Sequence, residues 1–384
     1  MTSIRCAVLA AALCARSASA AWADPATTVV TLPLDFTGST PLLSVRVNGA
    51  PAGWFIVDSG AAPCVLDDAL ARRLKLATVD TGAATGAGKG TVPYRSYRPD
   101  AVSLRSGATR FTCTRMISLD LSGQPAILGR KIDGILGGAF LAQYVVELDY
   151  DTATLRLHPR DFDYRGPGQT LPITLENGVP HVTARLTVAG VAPADRSLLI
   201  DTGSQDSVDD ELLLQSKTPL TEVEGGVGLG QTYRVSFGRF SRVRLGSFEL
   251  EDVPGVAPGV PLIGGEVLRR FRIFFDYARS RVTLEPGPHL RDRFGFSGPE
   301  LRLRGASDGA VRVHDVPAQS PAAASGLAVG DLITAVDGTP VAELTYNRLQ
   351  ALLTRTGAFT LTVRRAGRTL TIVLDNPPPA APPP

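Results

Sequence analysis

The chain has 384 residues, 44% hydrophobic and 20% charged, which is globular composition spread over more length than one ordinary core accommodates. A formal net charge of +2, with no block of like charge and no aromatic-studded basic stripe, excludes a nucleic-acid binder as the default reading. Beyond residue 23 nothing reaches the roughly 18 consecutive apolar residues of a membrane-spanning helix, so stable membrane insertion is not expected.

Residues 1–23 combine a basic start at Arg5, an apolar run from Cys6 to Ala15 and then small residues, the layout of a secretory signal peptide. Cleavage patterns end at both Ala20 and Ala23, and the sequence leaves the choice open. The mature chain is therefore expected outside the cytoplasm, in a periplasm or secreted. Cys6 and Cys14 leave with the signal, and Cys64 and Cys113 remain. In an oxidising compartment these two either pair or stay as buried thiols, and two isolated cysteines make no metal cluster.

From Val29 to about Arg160, short alternating apolar runs are separated by Gly, Pro, Asn and Asp, which predicts a β-rich unit. The run "WFIVDSGA" delivers a carboxylate, Asp58, at the tip of an apolar strand, and Ser59, Gly60 and Ala61 follow it. A helix is predicted at "LDDALARRLKL", Leu66 to Leu76, and a glycine-rich stretch, Thr81 to Tyr94, comes next. A second block begins near Leu171. It repeats the pattern with "SLLIDTGS", in which Thr202, Gly203 and Ser204 follow Asp201, and with a short helical candidate from Val208 to Gln215. The segments Ile135 to Leu157 and Leu262 to Leu284 align without gaps, matching Gly137 with Gly264, Asp149 with Asp276 and Tyr150 with Tyr277. Two copies are too few for a solenoid, and they read as a pseudo-twofold pair of lobes.

Paired carboxylates suit acid–base chemistry when they are fixed, close and in different protonation states, and two strand ends meeting at a lobe interface supply this. The two triplets, each preceded by an apolar strand, resemble the D-[ST]-G-[AS] signatures of aspartic proteases. Ile135-Leu136-Gly137 and Leu262-Ile263-Gly264 resemble the hydrophobic-hydrophobic-Gly element that braces each signature loop in that family. Residues 29–286 are similar to a bacterial, retropepsin-like aspartyl protease with both halves in one chain. The third segment, with "SPAAASGLAVGDLITAVDGTPV" and the helix-like "LTYNRLQALLTRT", resembles a PDZ domain of the bacterial protease-associated type.

The resemblance implies a mainly β, bilobed aspartic-protease fold of double β-barrel-like lobes followed by an α+β PDZ domain. The expected boundaries are 1–23 for the signal peptide, 24–165 and 166–290 for the lobes, 291–375 for the PDZ domain and 376–384 for a Pro-rich tail. It implies an endopeptidase without a cofactor, in which Asp58 and Asp201 act on a water held between them; which one carries the proton stays open. Gly86, Gly88, Gly90 and Tyr94 are flap candidates, with Glu224 to Tyr233 as the second lobe's counterpart. Phe294, Gly295, Phe296 and Leu349 are expected to form the PDZ site for peptide C-termini. Ser204 has a hydroxyl able to donate to the neighbouring carboxylate, which Ala61 lacks, so the acid limb of activity is expected higher than with serine in both places. Unequal lobes favour a monomer that supplies both aspartates itself.

Rival readings are weaker. Inactive lobes serving as scaffold for PDZ peptide binding would not need to retain both aspartates, both hydroxyls and both glycines. "GASDG", Gly305 to Gly309, matches a nucleophile elbow but precedes a strand-like run, so it reads as a hairpin turn. "GAGKGT" lacks the glycine spacing and the following helix of a phosphate loop. His158, His181, His289 and His314 are isolated in sequence and offer no metal-ligand spacing.

Overall fold

The computed structural model describes residues 28–85, 91–227, 232–294, 302–305, 310–316 and 320–376. The chain is mainly β, and its two repeats build two lobes around one shared sheet. In the first lobe the hairpin Val30–Thr37/Thr40–Val47 leads into Gly53–Val57 and then, past the triplet, into Cys64–Asp67. The second lobe repeats this with Val179–Thr187, Ala194–Ile200 and Val208–Asp209.

The predicted helix at 66–76 is shorter, Asp68–Arg73, because Leu66 and Asp67 extend the strand that pairs in parallel with Met116–Leu119. Asp67 then caps the helix, its Oδ2 accepting from Leu70 N–H at 3.3 Å. Asp210 caps the counterpart, accepting from Leu212 N–H at 2.8 Å. That element is one 3-10 stretch, Glu211–Gln215, which ends where Ser216 turns extended.

The lobes join through strands of both halves. Val145–Asp149 pairs antiparallel with Phe271–Asp276, with Val146 opposite Phe275 and Asp149 opposite Arg272. Thr154–His158 and Arg281–Pro286 flank this central pair, so the pseudo-twofold axis runs between strands that are hydrogen-bonded to each other. One continuous apolar core spans both lobes, from Leu43 and Val57 to Ile200 and Phe275.

The C-terminal domain has its own core of Val313, Ile333, Leu349, Leu353, Phe359 and Leu374. Its sheet runs Arg302–Gly305, Val311–Asp315, Leu332–Val336, Gly357–Arg365 and Arg368–Asn376, with the helix Tyr346–Thr354 alongside. That helix docks on the lobes through Asn347, which is fully buried. Its Nδ2 donates to Asp151 Oδ1 at 2.7 Å and to Arg269 O at 2.9 Å, and its Oδ1 accepts from Arg269 Nη1 at 3.3 Å. Among the described residues, no helix is long and apolar enough to cross a membrane.

Cys64 and Cys113 are bonded to each other, with Cα atoms 6.2 Å apart. The bridge pins the start of the strand after the first triplet to a segment 49 positions on. By loop-closure entropy such a bridge contributes up to about 4 kcal/mol. Replacing both cysteines with alanine is expected to lower the unfolding free energy by about 2–4 kcal/mol in denaturant titration, and a reductant should have the same effect on the wild type but none on the variant.

Candidate active site

Each triplet begins where a buried strand runs out. Gly53–Val57 and Ala194–Ile200 lie in parallel register with Gly134–Leu136 and Leu262–Ile263. Those partners fix the next peptide: Asp58 N–H donates to Leu136 O and Asp201 N–H to Ile263 O, each at 3.0 Å. The chain then folds back on its own carboxylate. Asp58 Oδ1 accepts from Gly60 N–H at 2.8 Å and Ala61 N–H at 3.1 Å, and Asp201 Oδ1 accepts from Gly203 N–H at 2.9 Å and Ser204 N–H at 3.1 Å.

The hydroxyls cross between lobes. Thr202 Oγ1 accepts from Ser59 N–H at 2.9 Å and donates to Val57 O at 2.7 Å. Reciprocally, Ser59 Oγ accepts from Thr202 N–H at 3.0 Å and donates to Ile200 O at 2.6 Å. Both side chains are buried, so four backbone groups at the strand ends depend on them.

Gly60 and Gly203 are required by the opposite carboxyl. A Cβ on Gly60 would lie 2.5 Å from Asp201 Cγ, and one on Gly203 would lie 2.6 Å from Asp58 Cγ. The two carboxyl groups are therefore brought together, each against the other lobe's glycine. Gly137 and Gly264 are needed for close approach of backbone: a Cβ there would lie 2.2 Å from Pro63 O and 2.3 Å from Asp206 O. The residues after them brace the loops, Gly138 N–H donating to Ala61 O at 2.7 Å and Gly265 N–H to Ser204 O at 2.9 Å.

Burial pushes both carboxyls above the ordinary aspartate range. Asp58 is pushed well up, first by burial, then by the negative charge of Asp201, to which it also donates in the neutral form. Two backbone N–H groups oppose the shift on each side. The pair thus holds one proton between its two carboxyls over a pH interval in which it carries a single negative charge.

A family model of aspartyl proteases matches residues 43–140, and a PDZ domain model matches residues 312–365. The chain carries an aspartyl protease domain followed by a PDZ domain. No curated protein matches the chain. The matched protease span holds the first triplet and Gly137, and the second lobe repeats its geometry outside that span.

The two stretches read as flaps from sequence fall in hairpins, Thr78–Thr85 with Thr91–Tyr97 and Thr221–Val227 with Thr232–Leu245. Gly86, Gly88 and Gly90 lie outside the described residues. Tyr94 sits on the hairpin's second strand opposite Gly82, where a Cβ would meet its ring at 2.6 Å.

Two expectations are corrected. Ser204 Oγ accepts from Asp206 N–H at 3.1 Å, and no carboxylate is among its described partners, so no hydrogen bond from this hydroxyl sets the second lobe's carboxyl apart from the one beside Ala61. Phe294 does not line a PDZ pocket. It is buried in the protease core with the Arg270 guanidinium 3.6 Å over its ring, while Arg239 Nη2 donates to its carbonyl at 3.1 Å. Arg270 also donates to the carbonyls of His289, Leu290, Asp292 and Arg293, so the chain up to Phe294 packs with the protease rather than with the PDZ domain. Gly295 and Phe296 lie outside the described residues, and Leu349 is buried in the PDZ core on the helix Tyr346–Thr354.

Sequence reasoning matched Tyr150 with Tyr277 without placing either within the field of the dyad's carboxylates. Both hydroxyls are buried without a hydrogen-bond partner among the described residues. Burial pushes both pKa values up; the charges of Asp58 and Asp201 add to the shift of Tyr277, and those of Glu266 and Asp201 to that of Tyr150. The identical Asp-Tyr pairs of the two repeats were the available signal.

Proposed function

We propose that this protein is an exported aspartic endopeptidase whose PDZ domain binds peptide C-termini. The observation that carries the reading is the approach of two raised-pKa carboxyls across a reciprocal Ser59–Thr202 clasp. One of Asp58 and Asp201, ionised, takes a proton from a water held between the pair. The other, protonated, polarises the scissile carbonyl and helps protonate the leaving nitrogen. Hydrolysis needs no covalent intermediate. A disulfide in so large a chain supports an oxidising compartment, as the leader-like N-terminus does.

The test is incubation with an unfolded polypeptide across a broad pH range, with products read by mass spectrometry. Cleavage is expected to follow a bell. Below the acid limb both carboxyls are protonated and no base remains; above the alkaline limb both are ionised and no acid remains. Since both groups are shifted up, the acid limb should lie above the ordinary aspartate pKa. No cleavage at any pH would overturn the reading in favour of a peptide-binding scaffold.

A further inference from the structure

The two lobes are not alike at the strand that follows each triplet. In the first lobe Val65 stands opposite Ile135 on one side and Ile117 on the other, inside a buried apolar cluster that also contains Ile56 and packs against Ala61, Trp54 and Tyr94. Counting forward from the triplets would match Val65 with Val208. Strand register gives a different answer. Leu262 precedes Gly264 as Ile135 precedes Gly137, and the residue opposite Leu262 is Asp209, which stands beside Val256 on its other edge. The second loop is therefore one residue longer, and Asp209 holds the place of Val65. Val208, like Cys64, turns to the shared core, and because side chains alternate along a strand, Asp209 turns to the opposite face, the one that in the first lobe packs against Ala61 of the triplet loop and Tyr94 of the hairpin.

Asp209 is 6% exposed, and its Oδ1 has no hydrogen-bond partner among the described residues. The backbone at Gly259 covers it, at a distance where a Cβ would lie 3.2 Å from Oδ2. Burial pushes its carboxyl well up, and the charges that add to the shift are those of Asp206 and Asp201. An unpartnered buried carboxyl beside two other acids is costly unless a cation reaches it.

We propose that the second lobe forms a subsite for a basic substrate side chain, lysine or arginine, with Asp209 as its counter-charge, and that the matching first-lobe subsite at Val65 takes an apolar side chain. This rests on the endopeptidase reading. Because the two positions are related by the pseudo-twofold axis through the dyad, they address residues on opposite sides of the scissile bond.

Cleavage-site mapping of an unfolded polypeptide digest should show lysine or arginine enriched at one position, and apolar residues at the symmetry-matched position across the bond. A peptide with lysine at that position should be cleaved with a kcat/KM about 10- to 100-fold above its norleucine counterpart, the range expected for a charge-assisted hydrogen bond. In Asp209→Asn that ratio should collapse towards one. Binding of the same two peptides to Asp58→Asn reads the subsite without cleavage. Cleavage by the wild type with no preference for a basic residue overturns the subsite and leaves the endopeptidase reading standing. Absence of cleavage, with the lysine peptide still bound more tightly by Asp58→Asn, overturns the endopeptidase and keeps the subsite. Equal binding of both peptides overturns the subsite whatever the cleavage result.

Discussion

Asp58→Asn and Asp201→Asn should each lower kcat for peptide-bond cleavage by about 10²- to 10⁴-fold, the usual contribution of a positioned acid or base. The expected loss is similar for both because one carboxyl must be charged and the other neutral, and an amide can play neither part. It should not arise from unfolding. Asparagine keeps an oxygen able to accept from Gly60 and Ala61, or from Gly203 and Ser204. The linkage also runs in favour of the variants. Both aspartates have folded pKa values above their unfolded ones, so their contribution is fully present below the unfolded pKa and is lost as pH rises through the folded one. At neutral pH, removing that ionisation should leave the unfolding midpoint no lower than that of the wild type. If one substitution alone abolishes cleavage while the other leaves it intact, the one-chain dyad is wrong.

Thr202→Ala should produce a large loss of stability at the site. The hydroxyl both accepts from Ser59 N–H and donates to Val57 O, and it is buried where water does not replace it. Two backbone groups left unsatisfied cost about 1–3 kcal/mol each, which for a domain of this size lowers Tm by roughly 5–15 °C. Thr202→Ser keeps the hydroxyl and should lose much less. Ser59→Ala combined with Thr202→Ala should cost less than the two singles added, because both belong to one reciprocal network. Additive losses in thermal denaturation would show that the two hydroxyls act independently.

The elements that the sequence disclosed best are those fixed by local chemistry and repetition. Asp58 and Asp201 were legible because an acid at the end of an apolar strand occurs twice, and Gly137 and Gly264 because a close backbone approach admits no side chain. Phe294 was misread because its neighbours fit a local motif, whereas its place is decided by Arg270, 24 positions earlier, whose guanidinium gathers the carbonyls before it. The hydroxyl of Ser204 had two plausible acceptors or donors within reach of the same turn, and only the fold selects the Asp206 amide. Asp209 was hidden more thoroughly. One inserted residue shifts its side chain to the other face, and no spacing rule reveals that without the strand partners.

The antiparallel pairing of Val145–Asp149 with Phe271–Asp276 means that the two halves of the dyad are tethered as well as hydrogen-bonded. Where such halves are separate molecules, the working form is in equilibrium with inactive monomers, and specific activity falls on dilution. Here the effective concentration of one half around the other is set by the connecting chain and does not change with the amount of protein present. The rate should stay first order in protein at any concentration. Because neither half serves in both places at once, matching register positions can carry different residues, Val65 in one half and Asp209 in the other.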